Sequence, residues 1–137
     1  MIHVQYHRVM QIKSKNVLYF TEREEEFAAL LHRIGMGKNV SKVLVYLANT
    51  KETTSRDIER GTDLRQPEVS MVMTALMELK WIGCREERDQ KKGRPVKIYH
   101  LALPISEVVD SIERSTTANV NSQLEMIKQV REFIVEQ

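Results

Sequence analysis

The sequence has little of several residues that define whole classes of protein: its 137 residues include one cysteine, three prolines and five glycines. The single cysteine, Cys84, excludes an internal disulfide framework and a multi-thiolate zinc site, and it favours a reducing setting. Scarce glycine and proline argue against an all-β or low-complexity chain. No apolar run approaches the roughly 20 residues of a membrane span, and the polar N-terminus is unlike a secretory signal. We expect a cytoplasmic globular protein with one core and no membrane partner.

Charge is unevenly distributed along the chain, although the formal net charge is only +2. Residues 1–37 carry a net charge of +1, residues 38–103 carry +4, and residues 104–137 carry −3. Residues 80–97 alone hold seven basic and three acidic side chains. A basic middle followed by an acidic tail indicates an anionic partner for the middle only.

Apolar spacing predicts helices through the first half of the chain. Thr21 and Glu24 form a capping box at the start of a helix over residues 21–35, whose acidic first turn suits the helix dipole better than a metal site. Asn39 is the expected N-cap of a second helix, and Thr54 with Asp57 opens a short third one anchored by Ile58. The predicted inward stripes of the first two helices are Phe27, Leu30, Leu31 and Ile34, then Val40, Val43, Leu44 and Leu47.

A fourth helix is expected from Gln66, with proline near its first position where a missing N–H has no cost. Its inward stripe is Val69, Val72, Met73, Leu76 and Leu79. The opposite side carries Pro67, Met71, Thr74 and Glu78, with Ser70 on the flank. This outer side is small, polar and almost without positive charge.

The spacing of apolar residues changes from helical to strand-like after the fourth helix. Residues 81–85 and 96–101 are strand-like and flank a polar loop over residues 87–94, which predicts a hairpin. A long helix then begins near Ser106. It would span about 45 Å if unbroken, although Ser115, Thr116 and Thr117 leave two shorter pieces possible. The fold class is therefore mainly α with a small β-hairpin (α+β): an N-terminal arm over residues 1–20, a winged helix-turn-helix over 21–103, and a helical dimerisation segment over 104–137.

Four short motifs resemble the winged helix-turn-helix regulators of the MarR, ArsR and TrmB group. They are residues 54–58 (TSRDI), 64–70 (LRQPEVS), 79–82 (LKWI) and, as in archaeal members, 93–99 (GRPVKIY). Asp63 stands where the group often has glycine, but aspartate tolerates the left-handed backbone that this turn needs. The downstream sugar-binding domain of longer TrmB-type proteins is missing, so a sugar effector is not implied and any small-molecule effector stays unknown.

The resemblance implies which residues meet DNA. The recognition-helix set is Arg65, Gln66, Pro67, Ser70, Met71 and Thr74, and the wing set is Arg88, Lys91, Lys92 and Arg94. Gln66 suits a bidentate pair with adenine, Met71 or Thr74 suits a thymine methyl, and Arg65 suits a phosphate. The wing suits phosphates or a narrow minor groove. Glu68 has two alternatives, a contact to cytosine or a solvated helix start.

The C-terminal helix is most economically explained by a second copy of the chain. The predicted dimerisation residues are Ile105, Val109, Ile112, Val120, Leu124, Ile127 and Ile134, with Val130 on the same stripe. A two-fold dimer places two recognition helices roughly 34 Å apart and predicts a palindromic site. The alternative is that the tail folds over its own domain.

Catalytic and metal sites are not indicated. His3 and His7 offer only two imidazoles, a redox-sensing role for Cys84 is the less favoured reading, and neither a phosphate-binding glycine loop nor a nucleophile elbow is present. The predicted function is a dimeric, sequence-specific, nucleoid-associated regulator of transcription that binds double-stranded DNA, without enzymatic activity, metal or cofactor. The alternative is a winged-helix protein-interaction module of the transcription or replication machinery.

Overall fold

The computed structural model describes residues 12–14, 17–18, 20–88 and 93–135. That part of the chain folds into five helices and two antiparallel strand pairs, which confirms the predicted mainly helical fold with a small hairpin. In chain order the elements are β1 (Ile12–Ser14), β2 (Val17–Leu18), α1 (Glu22–Arg33), α2 (Lys38–Ala48), α3 (Ser55–Thr62), α4 (Gln66–Glu78), β3 (Ile82–Arg88), β4 (Pro95–Leu101) and α5 (Ile105–Val135). Contacts divide the chain into two units, Met1–Ala102 and Leu103–Gln137.

The first strand pair lies within the segment predicted as an arm. β1 and β2 pair with Ile12 opposite Leu18 and Ser14 opposite Val17. β2 lies beside α3 in the same unit.

Helix α1 begins with the predicted capping box. The Thr21 hydroxyl accepts from the Glu24 N–H at 3.3 Å, and the Glu24 carboxylate accepts from the Thr21 N–H at 3.1 Å. The helix ends at Arg33, and Gly35 in the turn that follows has a φ of 113°, a conformation that residues with side chains rarely adopt. The N–H of Gly35 donates to His32 and that of Met36 to Leu31, so the last carbonyls are satisfied.

The buried side of α1 differs from the predicted stripe. Ala28 and Leu31 are buried, whereas Leu30 and Ile34 are more than half exposed. Glu24 is fully buried and precedes Ala28 by one turn. The prediction was wrong at Leu30 and Ile34 because apolar spacing gives the period of a helix but not the direction from which other elements cover it.

Helix α2 is the centre of the first unit. Every residue from 43 to 47 is at most 1% exposed, so this helix is covered on nearly all sides. Its N-cap is Gly37 rather than the predicted Asn39. Asn39 is the second residue of the helix, and its side-chain amide donates to the Glu68 carboxylate at 3.4 Å.

Helix α3 and the turn after it follow the sequence closely. The Thr54 hydroxyl accepts from the Asp57 N–H at 3.2 Å, which confirms the predicted cap. Gly61 lies inside the helix because the ring of Tyr46 packs against it: a Cβ there would be 2.1 Å from Tyr46 Cε1. Asp63 has a φ of 58°, the left-handed conformation expected of it.

The hairpin of β3 and β4 is longer than predicted. Its seven pairs run from Ile82 opposite Leu101 to Arg88 opposite Pro95. Glu87 and Arg88, predicted as loop because they are charged, continue the strand because each has a partner on β4. Thr53 adds a bridge at the base, where its N–H and carbonyl exchange hydrogen bonds with Tyr99 at 3.0 and 2.7 Å.

The second unit contains α5, one continuous helix of 31 residues and about 46 Å in length. The polar residues 115–117 do not break it, and the Thr116 hydroxyl donates to the Ile112 carbonyl at 2.9 Å. Val108 and Ile112 are buried, while Val109 is 38% exposed. Among the described helices none has the length and apolar character to span a bilayer.

Candidate nucleic-acid interface

The start of α4 is fixed by Glu68. One carboxylate oxygen accepts from the Arg65 N–H at 2.9 Å, and the other accepts from the Asn39 amide at 3.4 Å. Arg65 itself is extended, exposed and sits at the N-cap. Because both oxygens of Glu68 already have donors within the fold, the structure favours its helix-start alternative over a contact to cytosine.

The two sides of α4 differ as expected, except at the end. Val69, Val72, Met73 and Leu76 are buried, but Leu79 is half exposed, so the inward stripe stops one turn earlier than predicted. The recognition-helix residues Gln66, Pro67, Ser70, Met71 and Thr74 are all exposed on the helix, with Met71 at 75%. They form one uncharged face that could enter a major groove.

One polar side chain of this face, Thr74, has a defined partner. The Thr74 hydroxyl donates to the Ser70 carbonyl at 3.0 Å, which uses its proton within the helix. Its methyl group and its remaining acceptor capacity are what Thr74 can offer a base. A thymine methyl is therefore a better match for Thr74 than a base acceptor.

A tight cap joins α4 to the hairpin. Lys80 has a φ of 63°, and its N–H donates to Met77 at 3.0 Å. The N–H of Trp81 donates to Leu76 at 3.1 Å, which completes a Schellman motif with lysine in the usual glycine position. Trp81 is buried, and β3 begins directly after it. The hairpin therefore leaves α4 at a fixed angle.

The hairpin has a face that is electrostatically neutralised. Arg85 makes two 3.0 Å hydrogen bonds to Glu52 and one of 2.7 Å to Glu87. The hydrogen bonds from Arg85 hold the pKa of Glu52 below its ordinary value, and those carboxylates raise the pKa of Arg85. Arg85 is a basic residue of the hairpin that already has anionic partners.

The other face of the hairpin borders an open cleft of about 330 Å³. The α4 side of the cleft includes Gln66, Ser70 and Thr74, and the hairpin side includes Cys84 and Lys97. Ser55, at the start of α3, also lines it. Ser55, Cys84 and Lys97 were not among the residues expected at the interface. Side chains alternate between the two faces of a strand, so Lys97 lies on the same face of β4 as the buried Tyr99. This alternation could have identified Lys97 as a residue of the cleft from the sequence.

The remaining predicted residues belong to the wing set and to the dimerisation set on α5. In the wing, Arg88 is exposed at the end of β3 and Arg94 is exposed just before β4, while Lys91 and Lys92 lie outside the described residues. On α5, Ile105 and Ile112 are partly or fully buried within the single chain. The exposed members of the dimerisation set are Val109, Val120, Leu124, Ile127 and Ile134, and Val130 is exposed with them.

Metal-ligating side chains do not cluster in the part of the chain that the structure describes: no three His, Cys, Asp or Glu residues there could share an ion. His3 and His7 lie outside that part. Cys84 is exposed, with its thiol 3.9 Å from the Arg85 carbonyl.

Two helices joined by a left-handed turn, followed by a strand pair, define the first unit as a winged helix-turn-helix domain. The sequence matches the family model of the TFIIE alpha subunit over residues 26–131. The chain belongs to the TFIIE alpha subunit family. No curated protein sequence gives a significant match.

Two solved structures have the same fold at low sequence identity. TrmBL2, described as an archaeal chromatin protein with a novel mode of DNA binding, superposes with a TM-score of 0.63 at 15% identity over 82% of this chain. This chain spans only 40% of TrmBL2. A possible transcriptional regulator from Methanosarcina mazei Go1 superposes with a TM-score of 0.53 at 15% identity, covering 83% of this chain and 93% of its own.

Proposed function

We propose that this protein is a transcription regulator that binds double-stranded DNA through α4 and the hairpin. The observation that carries the proposal is the uncharged, exposed face of α4 beside a hairpin with exposed cations near its tip. A helix of this kind fits the major groove, where each base pair presents a distinct pattern of donors and acceptors. The DNA binding described for TrmBL2, which shares the fold, supports the proposal.

The chemistry of each side chain indicates whether it contacts a base or a phosphate. Gln66 can donate and accept in a bidentate pair with adenine, while Met71 and the Thr74 methyl suit thymine. Arg65 at the helix start is placed for a phosphate. The wing set (Arg88, Lys91, Lys92 and Arg94) would contact phosphates or the adjacent minor groove. In this proposal the protein is nucleoid-associated in the cytoplasm and has no catalytic role.

Sequence specificity in this proposal depends on a dimer. The apolar side chains along residues 120–135 of α5 are about half exposed or more within one chain. A second copy of α5 would cover them, and the two-fold symmetry would present two recognition helices to a palindromic site.

The family match favours a second candidate function. The matched family is named for a subunit, TFIIE alpha, and the match covers α2 to β4 and most of α5. In this alternative the domain binds a protein of the transcription machinery, and α5 pairs with that partner instead of a second copy.

The experiment that separates the two is selection of random genomic fragments by the purified protein, with sequencing of the bound pool at two salt concentrations. DNA binding through several phosphates releases counterions, so affinity should fall steeply with salt, and the recovered sequences should share a palindrome. The matched variant Lys91→Ala, Lys92→Ala, Arg94→Ala should bind more weakly with a flatter salt dependence. No retention at low salt would contradict the proposal and favour the protein-binding alternative.

The dimer has its own test. Truncation after Arg114 removes the exposed apolar part of α5 and should convert a dimer to a monomer in sedimentation velocity. The double variant Leu124→Asp, Ile127→Asp keeps the chain length and should do the same. A dimer that survives both changes would show that another surface, such as α1, forms the interface.

A further inference from the structure

We infer that the cleft between α4 and the hairpin holds one sugar-phosphate strand of the bound DNA, with Lys97 as its phosphate anchor. This inference rests on the proposed DNA-binding function and deepens it. If α4 lies in a major groove and the hairpin tip reaches the adjacent minor groove, the strand separating the two grooves passes between these elements. The cleft occupies that position.

The lining of the cleft has the chemistry of a phosphate site. Ser55 and Ser70 offer hydroxyl donors, and Lys97 offers an ammonium group. None of the ten lining residues is acidic, although carboxylates are common on the rest of the hairpin. A site rich in donors and without carboxylates fits an anion that carries oxygens and no protons, as a phosphodiester does.

Lys97 differs from the other basic residue in the middle of the hairpin. Arg85 is bound by Glu52 and Glu87 on the opposite face. Lys97 is exposed beside the cleft and makes no ion pair with another described residue, although Glu86 lies directly opposite it on β3. The register of the strands thus sends one cation to a neutralised face and the other to the cleft.

The apolar floor explains why the cleft can hold a strand without closing on it. Val69 and Met73 line it and are buried in the core of the unit. They fix the depth of the cleft, so the donors are held around it by packing and not by contact with one another.

The first test is the salt dependence of binding to a labelled random-sequence duplex. Loss of one phosphate contact should reduce the slope of log affinity against log salt by about 0.9. The affinity difference between wild type and Lys97→Ala should therefore shrink about threefold between 50 and 200 mM salt. Lys97→Arg should restore the slope. Lys51→Ala removes an equal charge from an exposed position away from the cleft and is the matched control.

The second test uses Cys84, the single cysteine, as a reporter within the cleft. Iodoacetamide forms a carbon–sulfur bond with its thiolate as iodide leaves, and mass spectrometry measures the rate. Saturating duplex should slow this alkylation at least tenfold if a strand fills the cleft, and an unchanged rate overturns the inference. Failure of this inference can be told from failure of the proposed function. If wild type binds duplex and Lys97→Ala leaves the slope of log affinity against log salt unaltered, only the inference is overturned. If wild type does not bind duplex, the proposed function is overturned as well.

Discussion

Helices α2 and α5 are both rich in apolar residues, yet the fold uses them in opposite ways. Six of the 11 residues of α2 are buried, against two of the 31 residues of α5. Isolated helices in water are marginal, and most helical stability in proteins comes from packing of an apolar face. The apolar side chains of α2 therefore stabilise the single chain, whereas those along the C-terminal half of α5 require a partner to contribute.

The same substitution in the two helices gives the strongest test of this contrast. Leu44 is fully buried in α2, and Leu124 is 58% exposed in α5. Leu44→Ala should lower the free energy of unfolding by about 2–5 kcal/mol because it leaves a cavity. Leu124→Ala, measured by urea unfolding at low protein concentration, should change it by less than about 0.5 kcal/mol. Equal losses would show that α5 is as integral to the folded chain as α2.

Contact between α2 and α3 provides the next test. Gly61→Ala inserts a methyl group where the Tyr46 ring lies, and overpacking should cost about 1–3 kcal/mol despite the better helix propensity of alanine. Gly37→Ala is the control for the added Cβ, which comes no closer than 3.6 Å to Val40, so its smaller cost reflects only the replacement of a glycine N-cap. Thermal unfolding of both variants measures the difference. A more stable Gly61→Ala variant would contradict the tight packing around α2.

Two neighbouring valines in α5 differ in burial, and their alanine variants test that difference. Val108 is fully buried, and Val109 is 38% exposed. Val108→Ala should therefore lower the free energy of unfolding by about 2 kcal/mol, and Val109→Ala by less than half of that. Chemical denaturation of the two variants side by side makes the comparison. The reverse order would show that Val109, and not Val108, is the buried residue.

The smallest effect concerns a surface contact just after α2. The pKa of Glu52 lies below its ordinary value of 4.5, because Arg85 donates hydrogen bonds to its carboxylate. A lowered pKa in the folded state means that the stabilisation is present above pH 4.5 and is lost as the pH falls through the folded value. Glu52→Gln should lower the melting temperature slightly at pH 7, and the difference from wild type should vanish in acid.

Glu86→Gln is the control for this pH series. Glu86 is exposed on β3 without an ion pair among the described residues. Its melting temperature should follow wild type from pH 7 into acid. Parallel behaviour of the two variants would show that the Arg85 contact adds nothing, as holds for many exposed ion pairs.

Local features of the fold could be predicted from the sequence because their donors and acceptors are close neighbours. Thr21 with Glu24 and Thr54 with Asp57 are complete within four residues. The left-handed conformation of Asp63 was expected from its position in the family resemblance. The order of helices and strands follows from these signals together with apolar periodicity. They sufficed to identify the winged helix.

The direction of burial could not be predicted in the same way. Leu30 and Leu79 continue apolar stripes yet are exposed, and Glu24 is polar yet fully buried. Each outcome depends on which element lies opposite, and that information is spread over distant parts of the chain. On α5, Val108 is fully buried although no sequence pattern marked it.

The candidate site was predictable only in part. The exposed face of α4 follows from its inward stripe, so Gln66, Ser70 and Thr74 were found from the sequence. The cleft exists only because α3, α4 and the hairpin meet, and no local pattern marks Ser55 or Cys84 as its lining. Charge alone does not separate Arg85, which is ion-paired with Glu52 and Glu87, from Lys97, which lines the cleft.

The pairing register of the hairpin means that changes at its tip do not alter which face the residues at its base occupy. Seven pairs from Ile82 to Arg88 and the bridge from Thr53 to Tyr99 fix which face each strand residue occupies. Six positions, 89–94, connect the strands beyond the last pair. Loop tips tolerate insertions and exchanges. Such changes leave Lys97 and Cys84 facing the cleft, because the paired register of the strands is unchanged. Relatives can thus alter the reach and charge of the wing while inheriting the same cleft.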